Sequence, residues 1–164
     1  MKELILSNDM IARYCPDDYC YKTSFKHNNA EVEVFFLTES QDSDVLCNMR
    51  STFLRLYERL PSVDSFFDKY MEDSVSEETI DILREYRNEP SLSKNELKEK
   101  TVLGIIRIDE ECVAECDYIY DSGMYRTRFT IKETSDDSVD FMHSCTEEKE
   151  ELVIKSYLHS CYNT

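Results

Sequence analysis

A chain of 164 residues is long enough to bury one hydrophobic core without disulfide or metal staples, and this one carries 35 Asp plus Glu against 19 Lys plus Arg, a net charge of −16. A field of that sign repels phosphate backbones and anionic lipid headgroups, which argues against direct nucleic-acid or membrane-surface binding and in favour of a basic protein partner. Hydrophobic residues at 41%, including 8 Phe and 11 Tyr, exclude a disordered chain, and the expected organisation is a single acidic α+β domain over residues 1–164.

The first strand-like segments run from Asp18 to Phe25 and from Glu31 to Leu37. They are rich in aromatic and β-branched residues and are joined by Lys26-His27-Asn28-Asn29-Ala30, whose asparagines suit a turn. In the second segment Val32, Val34 and Phe36 point inward and Glu31 and Glu33 outward, so one sheet face meets solvent. Val45, Leu46, Met49, Phe53, Leu56, Tyr57 and Leu60 then recur at helical spacing behind a cap at Asp42, Ser43 or Asp44, with Pro61 following. Two further helices are expected over Asp64 to Met71 and Ser76 to Arg87, with Pro90 beyond the second. Ser93 with Glu96 gives a capping-box pattern for a short fourth.

After Lys100 the helical period is lost. Thr101 to Ile108 is a nearly continuous apolar run, expected as a central strand buried on both faces. Glu111 to Tyr120 and Met124 to Lys132, joined at Ser122-Gly123, predict a hairpin. A two-residue turn there places Tyr120 opposite Tyr125, Cys116 opposite Phe129, Ala114 opposite Ile131 and Asp117 opposite Arg128. Ser138 to Cys145 is expected as a third meander strand. Thr146 is expected to cap a final helix with Glu147, Glu148, Glu150 and Glu151 in its first turn and Leu152, Val153, Tyr157 and Leu158 docking it. A hairpin, three or four helices, about four strands and a C-terminal helix, without βαβ alternation, predict a mainly antiparallel sheet.

Motifs for catalysis are missing. The only glycines, Gly104 and Gly123, allow neither a dinucleotide fingerprint nor a phosphate loop. His27, His143 and His159 form no zincin pair, and no serine occupies a Gly-x-Ser-x-Gly elbow. His143-Ser144-Cys145 and His159-Ser160-Cys161 contain zinc-type ligands without zinc-site spacing, so no metal and no cofactor are expected. Cys112 and Cys116 suit buried small hydrophobes. Cys15 and Cys20 flank Pro16-Asp17-Asp18-Tyr19, and a loop disulfide there is expected only on export. Seven cysteines without framework spacing, no signal peptide and no long apolar run fit reduced thiols in a cytoplasmic, non-enzymatic protein.

Two acidic runs stand in the C-terminal half. Asp109, Glu110, Glu111, Glu115, Asp117 and Asp121 occur in a stretch with no Lys or Arg, and Glu133 to Glu151 adds eight acids, including Asp136, Asp137 and Asp140, against Lys149 alone. Tyr118, Tyr120 and Tyr125 are interleaved with them, and tyrosine combines contact area with a polar tip. These twelve residues, Asp109, Glu110, Glu111, Glu115, Asp117, Asp121, Asp136, Asp137, Asp140 and the three tyrosines, are the expected partner-binding set.

The run Glu31-Val32-Glu33-Val34-Phe35-Phe36, then Leu46, Phe53, Leu56, Tyr57 and Leu60, then Phe66-Phe67-Asp68-Lys69-Tyr70, resembles small acidic bacterial immunity proteins of toxin–immunity systems, over Glu31 to Cys145. The resemblance rests on hydrophobic spacing and transfers no site residue. It implies neutralisation of a cognate basic toxin, such as a nuclease, by covering its active site or substrate cleft. Two other classes fit the composition: a nucleic-acid mimic that blocks a host DNA-binding protein, and a metal-dependent enzyme built on the His-Cys elements.

Overall fold

The alternation at Glu31 to Phe36 sets the frame of the molecule. In the computed structural model, which describes residues 2–120, 125–132 and 145–152, Ala30–Leu37 is strand β4 of an eight-stranded sheet. The other strands are β1 Glu3–Ser7, β2 Met10–Cys15, β3 Cys20–His27, β5 Val102–Asp109, β6 Val113–Tyr120, β7 Tyr125–Lys132 and β8 Cys145–Leu152, and they lie side by side in chain order. Helices α1 Ser43–Glu58, α2 Leu60–Asp73, α3 Glu77–Arg87 and α4 Lys94–Lys100 connect β4 to β5. The fold class is α+β.

Local chemistry accounts for most boundaries. Asn28 and Asn29 both take positive φ, 51° and 64°, the pair of left-handed residues that a two-residue hairpin turn needs between β3 and β4. Asp42 caps α1 by accepting hydrogen bonds from the Asp44 and Val45 amides at 2.8 and 3.2 Å. Ser76 caps α3 through the Thr79 amide, and Asn88 ends it in the left-handed conformation. Ser93 caps α4 through the Glu96 amide, but the Glu96 carboxylate does not close a capping box. It accepts from Lys100 Nζ at 2.7 Å one turn on.

All four helices cover one face of the sheet. Met49, Phe53 and Leu56 of α1, Val63, Phe67 and Met71 of α2, Ile80 and Leu83 of α3 and Leu97 of α4 share a single core with Val32, Val34, Phe36, Ile106, Ile108, Cys116 and Phe129. Phe129 is ringed by Phe66, Phe67, Tyr70 and Tyr118 at centroid distances of 5.2 to 6.3 Å, mostly edge to face. The opposite face presents Glu31, Glu33, Lys22, Arg13, Phe35 and Arg107.

Several expectations are corrected. β1 and β2 were not among the expected strands; in β1 only Leu4 and Leu6 are buried, while Ile5 between them is 61% exposed. Pro61 follows the end of α1 as expected, and it also stands in the first turn of α2, where its missing amide leaves no bond unmade; α2 therefore starts at Leu60 and not at Asp64. β5 is fully buried on one face only, through Leu103, Ile106 and Ile108. β5 also lies parallel to its neighbour β4, because the four-helix excursion is long enough to carry the chain back to the end of the sheet at which β4 begins. The other six ladders between described strands are antiparallel.

The largest correction is at the C-terminal end. Thr146 to Leu152, expected as the start of a helix, belongs to strand β8, paired antiparallel with β7. The register sets Glu151 opposite Arg126 and Glu147 opposite Thr130, so an acidic segment adds to a strand with basic positions. Tertiary pairing overrides the helical preference of a glutamate-rich run. The expected strand before Cys145, and Val153, Tyr157 and Leu158, lie outside the described residues.

Candidate partner-binding end of the sheet

Because β4 and β5 are parallel and the remaining neighbours antiparallel, three connections emerge at one end of the sheet: residues 16–19 between β2 and β3, residues 38–44 leading into α1, and the turn after Asp109 between β5 and β6. They carry Asp17 and Asp18, Glu39, Asp42 and Asp44, and Asp109, Glu110 and Glu111, eight carboxylates with no Lys or Arg among them. All but Asp109 are exposed. Side-chain bonds tie the connections together: the Thr38 hydroxyl donates to Glu110 Oε1, and Tyr14 OH donates to Glu39 Oε1 at 3.3 Å.

The acids have separate structural duties. Asp109 Oδ1 accepts from the amides of Glu111 and Val113, both at 3.0 Å, and so holds a turn in which Cys112 adopts a φ of 62°. Asp18 is ion-paired with Lys22; the hydrogen bond from Lys22 holds its carboxyl below the usual range and pushes the Lys22 ammonium up. Burial, then the Glu39 carboxylate, raises the Tyr14 phenol. Lys22, on β3, is the basic side chain bonded to the first of these connections. Tyr19, 64% exposed at a φ of 53°, follows Asp17 and Asp18 in the first connection as an aromatic surface group.

Within the expected partner-binding set, Glu110 and Glu111 are exposed at this end and Asp109 supports them. Glu115 is partly buried with Arg128 Nε 3.5 Å away. Asp117 is corrected from a surface acid to a fully buried one. Arg128 donates to it at 2.7 and 3.1 Å, Arg107 at 2.8 Å, and an Arg126 nitrogen lies 3.8 Å away. Burial alone would raise its carboxyl; the hydrogen bonds from Arg128 and Arg107 outweigh burial and lower it.

The three tyrosines are corrected from surface anchors to core. Tyr118, Tyr120 and Tyr125 are 2%, 3% and 0% exposed. Tyr118 stacks on Phe67 with centroids 4.2 Å apart and donates to Asp64 Oδ1 at 2.6 Å; burial first and Asp64 second push its phenol well above the ordinary value. Tyr125 OH accepts from Thr127 at 2.7 Å and reaches Met71 Sδ at 3.5 Å. The hairpin register already contained this outcome, since Tyr118 and Tyr120 alternate with Ala114 and Cys116 on the inward face. Asp121, Asp136, Asp137 and Asp140 lie outside the described residues, as do His143, His159 and Cys161.

Asp17, Asp18, Tyr19, Glu39, Asp42 and Asp44 were missed by sequence reasoning. Their signal was the lack of any Lys or Arg in Pro16-Asp17-Asp18-Tyr19 and in Thr38 to Asp44; their convergence is a property of topology. At the opposite end of the sheet a cleft of about 330 Å³ holds a second polar group, where Asp64 receives Tyr118, Asn28 at 3.1 Å and His27 Nε2 at 2.7 Å. The one hydroxyl-bearing aliphatic side chain lining it, Thr101, donates to the Leu97 carbonyl at 2.5 Å, so this His–Asp pair faces no free Ser, Thr or Cys nucleophile among the lining residues. No group of described residues forms a metal site, and no described helix is long and apolar enough to cross a membrane. No family model, curated protein or solved structure matches this chain.

Proposed function

We propose that this protein is a non-enzymatic acidic binding protein whose carboxylate-rich sheet end covers a basic cleft on a partner protein, in the manner of an immunity protein that neutralises a cognate toxin in the cytoplasm. The observation that carries the reading is the gathering of eight carboxylates from three connections, with no basic residue in those connections, at one end of a rigid sheet in a chain of net charge −16. Basic clefts are what phosphate-handling enzymes present, and an opposed field of this size steers association and suppresses wrong partners. Tyr19 supplies an exposed aromatic side chain next to Asp17 and Asp18. A rigid frame suits the role, because the surface binds without ordering new backbone.

The test is co-purification and titration calorimetry with the product of the neighbouring open reading frame, in two salt concentrations. Binding is expected to weaken by at least about tenfold between 50 and 300 mM salt, as screening shortens the reach of the field. Reversal of Asp17, Asp18, Glu110 and Glu111 to lysine is expected to remove binding while the circular dichroism spectrum stays unchanged. A neighbouring product that binds neither form, and from which expression of this protein gives cells no protection, overturns the proposal.

A further inference from the structure

Cys15 closes β2 and Cys20 opens β3, and they are direct partners in the antiparallel ladder, so their side chains stand on the same face of the sheet. Antiparallel partners have Cα atoms about 4.5 or 5.5 Å apart according to the kind of pair, and both spacings fall within the roughly 4.4–6.8 Å that a disulfide spans. Both residues are free thiols. They differ in access. Cys15 is partly exposed, lines a cleft of about 580 Å³ on the face opposite the helices, and lies 3.5 Å from Asp18 Oδ2, whereas Cys20 is 2% exposed. The Lys22 ammonium is paired with Asp18. Burial pushes the Cys20 thiol up, and the Lys22 charge pulls against it.

We infer that Cys15 and Cys20 form a thiol–disulfide site whose oxidant is a low-molecular-weight disulfide of the glutathione type. The Cys15 thiolate, its proton given to solvent, attacks one sulfur of oxidised glutathione; that S–S bond breaks, Cys15 carries a mixed disulfide, and one glutathione thiolate leaves. The Cys20 thiolate then attacks the Cys15 sulfur, the mixed disulfide breaks, and the second glutathione leaves. Two cysteine thiols are oxidised, one glutathione disulfide is reduced to two thiols, and the two protons end on the departing thiolates. Access sets the order, because only Cys15 is open to the reagent. The bond closes a ring around Pro16, Asp17, Asp18 and Tyr19, and the site stands whatever the acidic end binds.

The experiment uses the full-length reduced protein, exposed to oxidised glutathione, quenched with an alkylating agent and digested with trypsin. Cleavage after Arg13 and Lys22 releases one peptide, Tyr14 to Lys22, that contains both cysteines and no other. The expected peptide has lost both alkylation sites and the mass of two hydrogens, and dithiothreitol restores both sites. Cys20→Ser is expected to retain one glutathionyl group on Cys15, while Cys15→Ser takes glutathione on Cys20 at least about tenfold more slowly. Cys47, exposed on α1, reports that the reagent is active. A peptide with both thiols alkylated while Cys47 carries glutathione overturns the inference, and so does equal reactivity of the two single variants.

Discussion

Asp117→Asn is the most informative single change to the fold. Asp117 is the one fully buried carboxylate among the described residues, and its charge is balanced by Arg107, Arg128 and Arg126, whose side chains retain 25%, 22% and 26% exposure. Removing one partner of a buried ionic group costs roughly 3–5 kcal/mol, and the partial exposure of the arginines places this case near the low end, about 3 kcal/mol at pH 7. For a chain of this length that lowers the melting temperature by about 6–12 °C. The pH dependence gives a second readout. The folded Asp117 carboxyl lies below its ordinary value, so its contribution is fully present above the unfolded pKa of about 3.9 and is lost as pH falls through the folded value. The stability gap between wild type and Asp117→Asn is therefore expected to be constant from pH 7 to about pH 5 and to close below about pH 4. Urea unfolding followed by circular dichroism measures both. A gap under about 0.5 kcal/mol at neutral pH, or one that stays constant into strong acid, refutes the reasoning.

Phe129→Ala removes the ring around which Phe66, Phe67, Tyr70 and Tyr118 pack, and is expected to cost about 3–5 kcal/mol in the same urea assay with no change in the acidic end. Ser76→Ala removes the N-cap of α3 and leaves the Thr79 amide without its partner, an expected loss of about 1 kcal/mol that a glycine at the same position largely avoids. Arg50 donates from α1 to the Ile5 and Leu6 carbonyls of edge strand β1 at 2.9 and 3.3 Å; Arg50→Ala is expected to cost about 1 kcal/mol and to raise self-association, read by light scattering against protein concentration.

Legibility in the sequence followed the range of the forces involved. The Asn28-Asn29 turn, a first helix cap among Asp42, Ser43 and Asp44, the cap at Ser93, and the β6–β7 register, with Asp117 opposite Arg128 and Cys116 opposite Phe129, are local and were readable from spacing and turn chemistry. β1 and β2 were not, because a short strand announces itself only when a partner satisfies its amides and buries Leu4 and Leu6. β8 illustrates the converse: a run of glutamates that suits a helix N-terminus alone becomes a strand paired with β7, with Glu151 opposite Arg126. The same limit applied to Asp117. Its cross-strand partner was visible, but Arg107 on the other neighbouring strand was not, so a solvated acid was expected where a buried one occurs.

The chain by itself determined the acidity, the absence of nucleotide and hydrolase motifs, the helix caps and the strongest hairpin, because composition, capping and period-2 alternation act over a few residues or over none. Only the tertiary structure decided which acids stand together. Asp18, Glu39 and Glu110 are far apart along the chain and come to the same end of the sheet because the helical excursion returns β5 parallel to β4, so that both strands end on the side of the β2–β3 turn. A carboxylate's surroundings depend on strand order, and strand order is settled by the burial of all the core-facing side chains at once.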